Sequence, residues 1–135
     1  MMSKLSKVEG IGETYAEKLA GVGVSNTDAL LEKGSTPKGR KALAAETGLS
    51  EKLILKWVNR VDLFRVKGIG EEYADLLEAA GVDTVPELEQ RNAENLHQKL
   101  AAVNEEKHLV RQVPGAAQVA NWVTEAKNLP RKITY

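Results

Sequence analysis

The residues best suited to chemistry in this chain are two glycine turns, Gly10-Ile11-Gly12 and Gly68-Ile69-Gly70. Glycine reaches backbone conformations closed to residues with a Cβ, so each turn can be tight. Each is followed by residues at helical spacing, and the start of a helix carries unpaired N–H groups and the positive end of its dipole. The implied chemistry is anion binding, with one phosphate oxygen held by backbone N–H groups. The isoleucine plugs the crevice, and the small Ala16 or Ala74 lets two helices approach closely. Lys7 and Lys67 flank the turns, while Lys38, Arg40 and Lys41 lie in a stretch without acids. These bases and the two turns are the candidate binding residues.

Other groupings fail on spacing. Gly10-x-Gly12 has Tyr15 where a dinucleotide fingerprint needs its third glycine, and no strand pattern precedes it. Lys33-Gly34-Ser35-Thr36 lacks the leading glycine and the strand of a phosphate-binding P-loop. His97 and His108 are eleven apart, with no cysteine and no paired carboxylate pattern, so no metal is expected. No nucleophile–base–orienter set emerges, and the chain reads as non-enzymatic and without a cofactor. Trp57 and Trp122 recur on apolar stripes, which favours core packing over base stacking. Tyr15 and Tyr73 read as helix packing with a phenol at the rim.

The elements that must position the turns come from an internal repeat. Residues 8–24 align with 66–82 at an offset of 58, and ten of the seventeen positions are identical. Trp57-Val58 matches Trp122-Val123 at an offset of 65, so the second copy carries about seven extra residues, placed around Asn104 to Arg111. After Gly12, the residues Tyr15, Ala16, Leu19 and Val22 make a helical face that Gly23 stops. Thr36-Pro37 opens a helix through Ala45, and Ser50 caps one bearing Ile54, Trp57, Val58, Val61 and Phe64. In the second copy Thr84 and Glu87 form a capping box. Asn92 caps a helix with Leu96, Leu100 and Val103, and a last helix from about Gly115 carries Val119, Trp122, Val123 and Ala126 before Pro130. No stretch alternates with period two over strand length. The expected fold is all-α, with tandem repeats packed as one compact helical domain. Residues 1–62 are the first repeat, 63–129 the second and 130–135 a C-terminal tail. Copies this short are expected to need each other to complete a core, and so to form one cooperative unit.

The pattern apolar-x-Gly-Ile-Gly-x-x-x-Ala, present as Val8–Ala16 and Val66–Ala74, resembles the helix-hairpin-helix motif. That resemblance implies a grip on nucleic-acid backbone without sequence readout, through Gly10, Ile11 and Gly12 and their counterparts Gly68, Ile69 and Gly70, with Lys7 and Lys67 flanking the turns. VEGIG and VKGIG, paired with a Trp-Val helix, are similar to an uncharacterised domain-of-unknown-function family, number 4332, over roughly residues 5–129. That family implies the fold and brings no established activity. Phosphate-gripping hairpins usually carry small or basic residues after the second glycine; this chain has Glu13, and Glu71-Glu72. A first-turn carboxylate stabilises its own helix and repels a phosphate arriving at the same N–H groups. At ~4 Å and an effective dielectric of ~20 that repulsion is about 4 kcal/mol before screening. Two readings therefore stay open. One is weak binding of DNA or RNA backbone; the other is a protein–protein adaptor whose hairpins only shape the fold.

Charge narrows the choice without making it. In 135 residues, 19 Lys and Arg balance 19 Asp and Glu, which speaks against strong general nucleic-acid binding. Residues 1–60 hold ten bases and seven acids, and residues 61–135 hold nine and twelve. Glu71 to Glu94 contains eight acids against Arg91. The asymmetry is either two solvated faces or an anion-binding corner in the first copy and an acidic surface in the second that suits a basic partner. No run approaches the ~18 apolar residues of a membrane span, and no N-terminal stretch reads as a signal peptide. Absence of cysteine fits a cytoplasmic protein.

Overall fold

The structure, a computed structural model, describes residues 4, 5, 8 and 10–135. Lys7 lies outside the described residues. The helices are α1 (Glu13–Ala20), α2 (Thr27–Lys33), α3 (Pro37–Thr47), α4 (Glu51–Leu63), α5 (Glu71–Ala79), α6 (Val85–Glu89), α7 (Ala93–Lys107) and α8 (Ala116–Asn128). Among the described residues the only pairing of β type is an isolated bridge between Lys4 and Asn26. The protein is all-α.

Local chemistry sets the helix starts. Asn26, Thr36, Ser50, Thr84 and Asn92 each accept a bond from the N–H three residues on. A cap of this kind contributes about 1 kcal/mol. The Thr84 hydroxyl also donates to Glu87 Oε1 at 3.2 Å, so the two residues of the expected box meet side chain to side chain. Helices α1, α5 and α8 start instead from Gly12, Gly70 and Gly115, with no side-chain cap.

The ends follow repeat-equivalent devices. Helix α3 runs to Thr47, past its expected end, and stops at Gly48 with φ +77°. Helix α1 stops at Ala20, earlier than expected, and Gly23 is the left-handed residue that returns the Val24 N–H to Leu19 O at 2.9 Å. Gly81 does the same in the second copy, with Val82 N–H on Leu77 O at 2.8 Å. Lys33 Nζ donates to Val22 O at 3.2 Å and Arg91 Nη2 to Gly81 O at 3.1 Å. A base in the same place of each repeat thus meets the negative end of the first helix. The extra residues of the second copy extend α7 and form the loop 108–115. Asn104, 9% exposed, clamps that loop through both faces of its amide, on Val110 N–H (2.9 Å) and Val110 O (3.1 Å).

Two compact units result, Met1–Asp62 with Arg131–Tyr135, and Leu63–Pro130. The first buries Leu19, Leu30, Leu43, Ile54, Trp57 and Val58. The second buries Leu76, Leu77, Leu88, Leu96, Leu100, Val119 and Trp122 around α8, which packs on α6 and α7. Of residues 130–135, expected as a tail, 131–135 lie with the first unit and Pro130 with the second. Thr134 N–H donates to Ser35 O at 2.7 Å, Ile133 is buried, and the Tyr135 hydroxyl bonds Asn59 Oδ1 at 2.6 Å. Ser35 O, just past the end of α2, thereby gains a backbone donor.

Candidate functional site

Each turn uses its two glycines differently. Gly10 and Gly68 have φ +90° and +92°, the left-handed region where only glycine is unstrained. Gly12 and Gly70 are extended, at φ −84° and −106°, and serve as the N-caps of α1 and α5. A Cβ there would meet nothing within 4 Å. The indispensable glycine of each turn is therefore the first. Ile11 and Ile69 are 3% and 4% exposed, and their N–H groups bond Val8 O (3.0 Å) and Val66 O (3.1 Å). As candidates for contacting a phosphate they are corrected: side chain and N–H are both engaged in closing the turn. The first intrahelical bonds are Ala16 N–H to Gly12 O and Ala74 N–H to Gly70 O, both 2.9 Å. The N–H groups before them, on Glu13 and Thr14 and on Glu71 and Glu72, open an exposed helix start without a side-chain cap.

A tryptophan stands behind each turn. Trp57 and Trp122 are both 1% exposed, and each indole N–H is buried without an acceptor. Trp57 Nε1 lies 3.3 Å from where a Gly10 Cβ would stand, and Trp122 Nε1 3.1 Å from that of Gly68. Tyr15 and Tyr73 pack on these indoles with ring centroids 5.4 and 5.3 Å apart. An unpaired buried N–H costs about 1–3 kcal/mol. Here its positive end faces the inner wall of the turn uncancelled.

The copies differ in what touches the turn. In the second, the Lys67 N–H donates to Glu125 Oε1 at 2.9 Å, and the Tyr73 hydroxyl donates to Gln112 O at 3.1 Å in the inserted loop. At the place of Glu125 the first copy has Arg60, whose side chain offers no acceptor atom, and the first copy lacks the insertion. The first helix start carries one acid, Glu13; the second carries Glu71 and Glu72. Sequence reading missed Glu125. Its signal was available in the repeat alignment as an acid opposite a base.

The basic candidates separate likewise. Lys38, Lys41 and Lys67 are exposed. Arg40 is 5% exposed, with Nη1 on Gly34 O at 2.8 Å and Nη2 on Thr134 O at 2.7 Å. It is withdrawn from the candidate set, because its fork is spent joining the α2–α3 junction to the terminal segment. No group of three or more His, Asp or Glu residues that could hold a metal occurs among the described residues. Nor is any described helix long and apolar enough to cross a membrane.

Residues 9–129 match the family described as a domain of unknown function (DUF4332). No curated protein and no solved structure matches the chain.

Proposed function

The chain belongs to the DUF4332 family, whose description assigns no activity, and we propose from its own turns that it is a non-enzymatic binding module. The ligand is the phosphate backbone of DNA or RNA, held weakly and without sequence readout at the start of a hairpin helix. One observation carries this reading. The helices that follow the glycine turns start exposed and without a side-chain cap, as α8 also does, whereas α2, α3, α4, α6 and α7 are all capped by a side chain. An exposed start without a cap offers N–H groups to an anion. Glu13, Glu71 and Glu72 oppose it and keep the affinity low.

These same acids favour a second reading, a protein adaptor in which the hairpins only shape the fold and the acidic 71–94 stretch meets a basic partner. Affinity for a short duplex, measured across salt concentrations, separates the two. Contact with one to four phosphates gives a log–log slope between about −1 and −4. A folded protein with no salt-sensitive binding at low ionic strength leaves the adaptor.

A further inference from the structure

We infer that the first unit carries a docking site for an extended peptide segment of a partner protein, with residues 131–135 as its resident occupant. The segment it fits has an aliphatic residue followed two places later by tyrosine. The inference stands independently of any phosphate contact at the glycine turns. Thr134 shows how the backbone is gripped. Its N–H donates to Ser35 O at 2.7 Å, and its C=O accepts from Arg40 Nη2 at 2.7 Å. Both backbone groups of one residue are thus held, and every residue except proline can supply them. The residues on either side supply the selection. Ile133 is buried, and the Tyr135 hydroxyl donates to Asn59 Oδ1 on α4 at 2.6 Å. Main-chain bonds for affinity and alternate side chains for specificity are how extended peptides are recognised.

The receiving side is organised from within its own sequence. Arg40 Nη1 is fixed on Gly34 O at 2.8 Å, which leaves the other arm of the fork for an incoming acceptor. Thr36 Oγ1 caps the Gly39 N–H at 3.0 Å, and Ser35 Oγ donates to Glu32 O at 2.9 Å, so the loop carrying Ser35 O is held from both ends. At Gly34 a Cβ would run into the Val58 side chain, and at Gly39 into Lys33 O, so the junction packs closely on α4 and on the end of α2. A receiver fixed in advance loses little freedom on binding. Its occupant is reached along the chain only through residues 63–130, which form the second unit. None of the bonds to Thr134 or Tyr135 depends on that connection. If residues 131–135 leave, Arg40 Nη2 loses its acceptor, which favours refilling by a segment of the same chemistry.

The test uses the full chain and a dye-labelled, end-blocked peptide of residues 130–135, followed by fluorescence anisotropy. Ile133→Asp should release the chain's own segment, because an unpaired carboxylate is costly to bury, with unchanged tryptophan emission as the control for the core. The peptide should bind this variant on the order of tenfold or more tighter than the natural chain, whose own segment holds the site. Adding Asn59→Ala should weaken the natural peptide severalfold and leave a Tyr135→Phe peptide unaffected, since both changes delete the same bond. No binding to the folded variant, equal affinity for both chains, or no coupling between Asn59 and the tyrosine overturns the docking site. Should Ile133→Asp lose its core, amide exchange in the natural chain decides. Weaker protection of the Thr134 N–H than of Ile54 and Val58 supports release from a folded unit; equal protection overturns it. Self-association of the natural chain that Ile133→Asp abolishes would overturn a separate partner and seat a second copy's segment on the site.

Discussion

At Gly10 a Cβ would stand 3.3 Å from the Trp57 indole nitrogen on a backbone at φ +90°, while at Gly12 it would meet open space at φ −84°. Gly10→Ala should therefore lose about 1–2 kcal/mol from backbone strain alone, and more as the indole is displaced. Gly12→Ala should stay within about 1 kcal/mol of the natural protein, losing only glycine's slight advantage as an N-cap. Urea midpoints at constant slope would register the contrast; equal losses would mean the turn does not depend on its left-handed residue. Glu87 offers a second residue-level test. Its carboxyl is held above the ordinary value of 4.5, first by a hydrogen bond with Asp83, then by burial and by the Asp83 charge, with Thr84 and Arg91 partly opposing. A raised acid stabilises the fold below its unfolded pKa, and that contribution fades as pH climbs through the folded value. Asp83→Asn should accordingly raise Tm at neutral pH, with the gain shrinking on acidification through the carboxylate range. The effect is small because the pair is largely solvated.

For helices, the decisive contrast is between starts closed by a side chain and starts left open. Gly12 has the extended backbone of an N-cap and room for a side chain. Gly12→Asp should cap α1, keep or slightly raise stability by a few tenths of a kcal/mol, and remove duplex affinity by occupying the N–H groups. If affinity survived the cap, the helix start would not be the contact. Loop 108–115 depends on one amide in the same way. Asn104→Ala would leave the N–H and C=O of Val110 without the bonds that now satisfy them, an expected loss of about 1–3 kcal/mol for each group that water does not reach. Thermal melts should show that loss. An unchanged Tm would mean that water replaces the amide and that the clamp adds nothing to the loop.

Across the whole molecule, the second unit packs a hydrophobic core from its own residues. Whether the repeats form one cooperative unit, as their short length suggests, is decided by a fragment. A fragment spanning 63–130 should fold alone and melt cooperatively; a disordered fragment would restore the view that the repeats must complete each other. The first unit differs because its packing includes the chain's last five residues. Deleting 131–135 removes the buried Ile133 and leaves Arg40 Nη2 without Thr134 O. Burying an isoleucine contributes about 1.5–3 kcal/mol, and an unpaired buried donor costs about 1–3 kcal/mol. Amide exchange should therefore quicken throughout the first unit and stay unchanged in the second. Unchanged protection of α3 in the truncated chain would show that the terminal segment adds nothing to the first unit.

Much of this protein was legible in its sequence, and for one reason: the signals are local. The repeat, the all-α class, the caps at Thr36, Ser50, Thr84 and Asn92, and the core positions of Trp57 and Trp122 depend on residues a few places apart. A cap, a helical stripe or a glycine stop carries its own chemistry and can be read where it stands. Tertiary structure alone decided the fate of the candidate site. It took Arg40 out by joining it to Thr134, 94 residues away, and put Glu125 on the Lys67 N–H across 58 residues. It also set each indole N–H under its glycine turn without an acceptor. In the two hydrogen bonds the partner is a backbone group, which every residue carries. Only the folded chain's geometry selects which carbonyl or N–H a distant side chain meets.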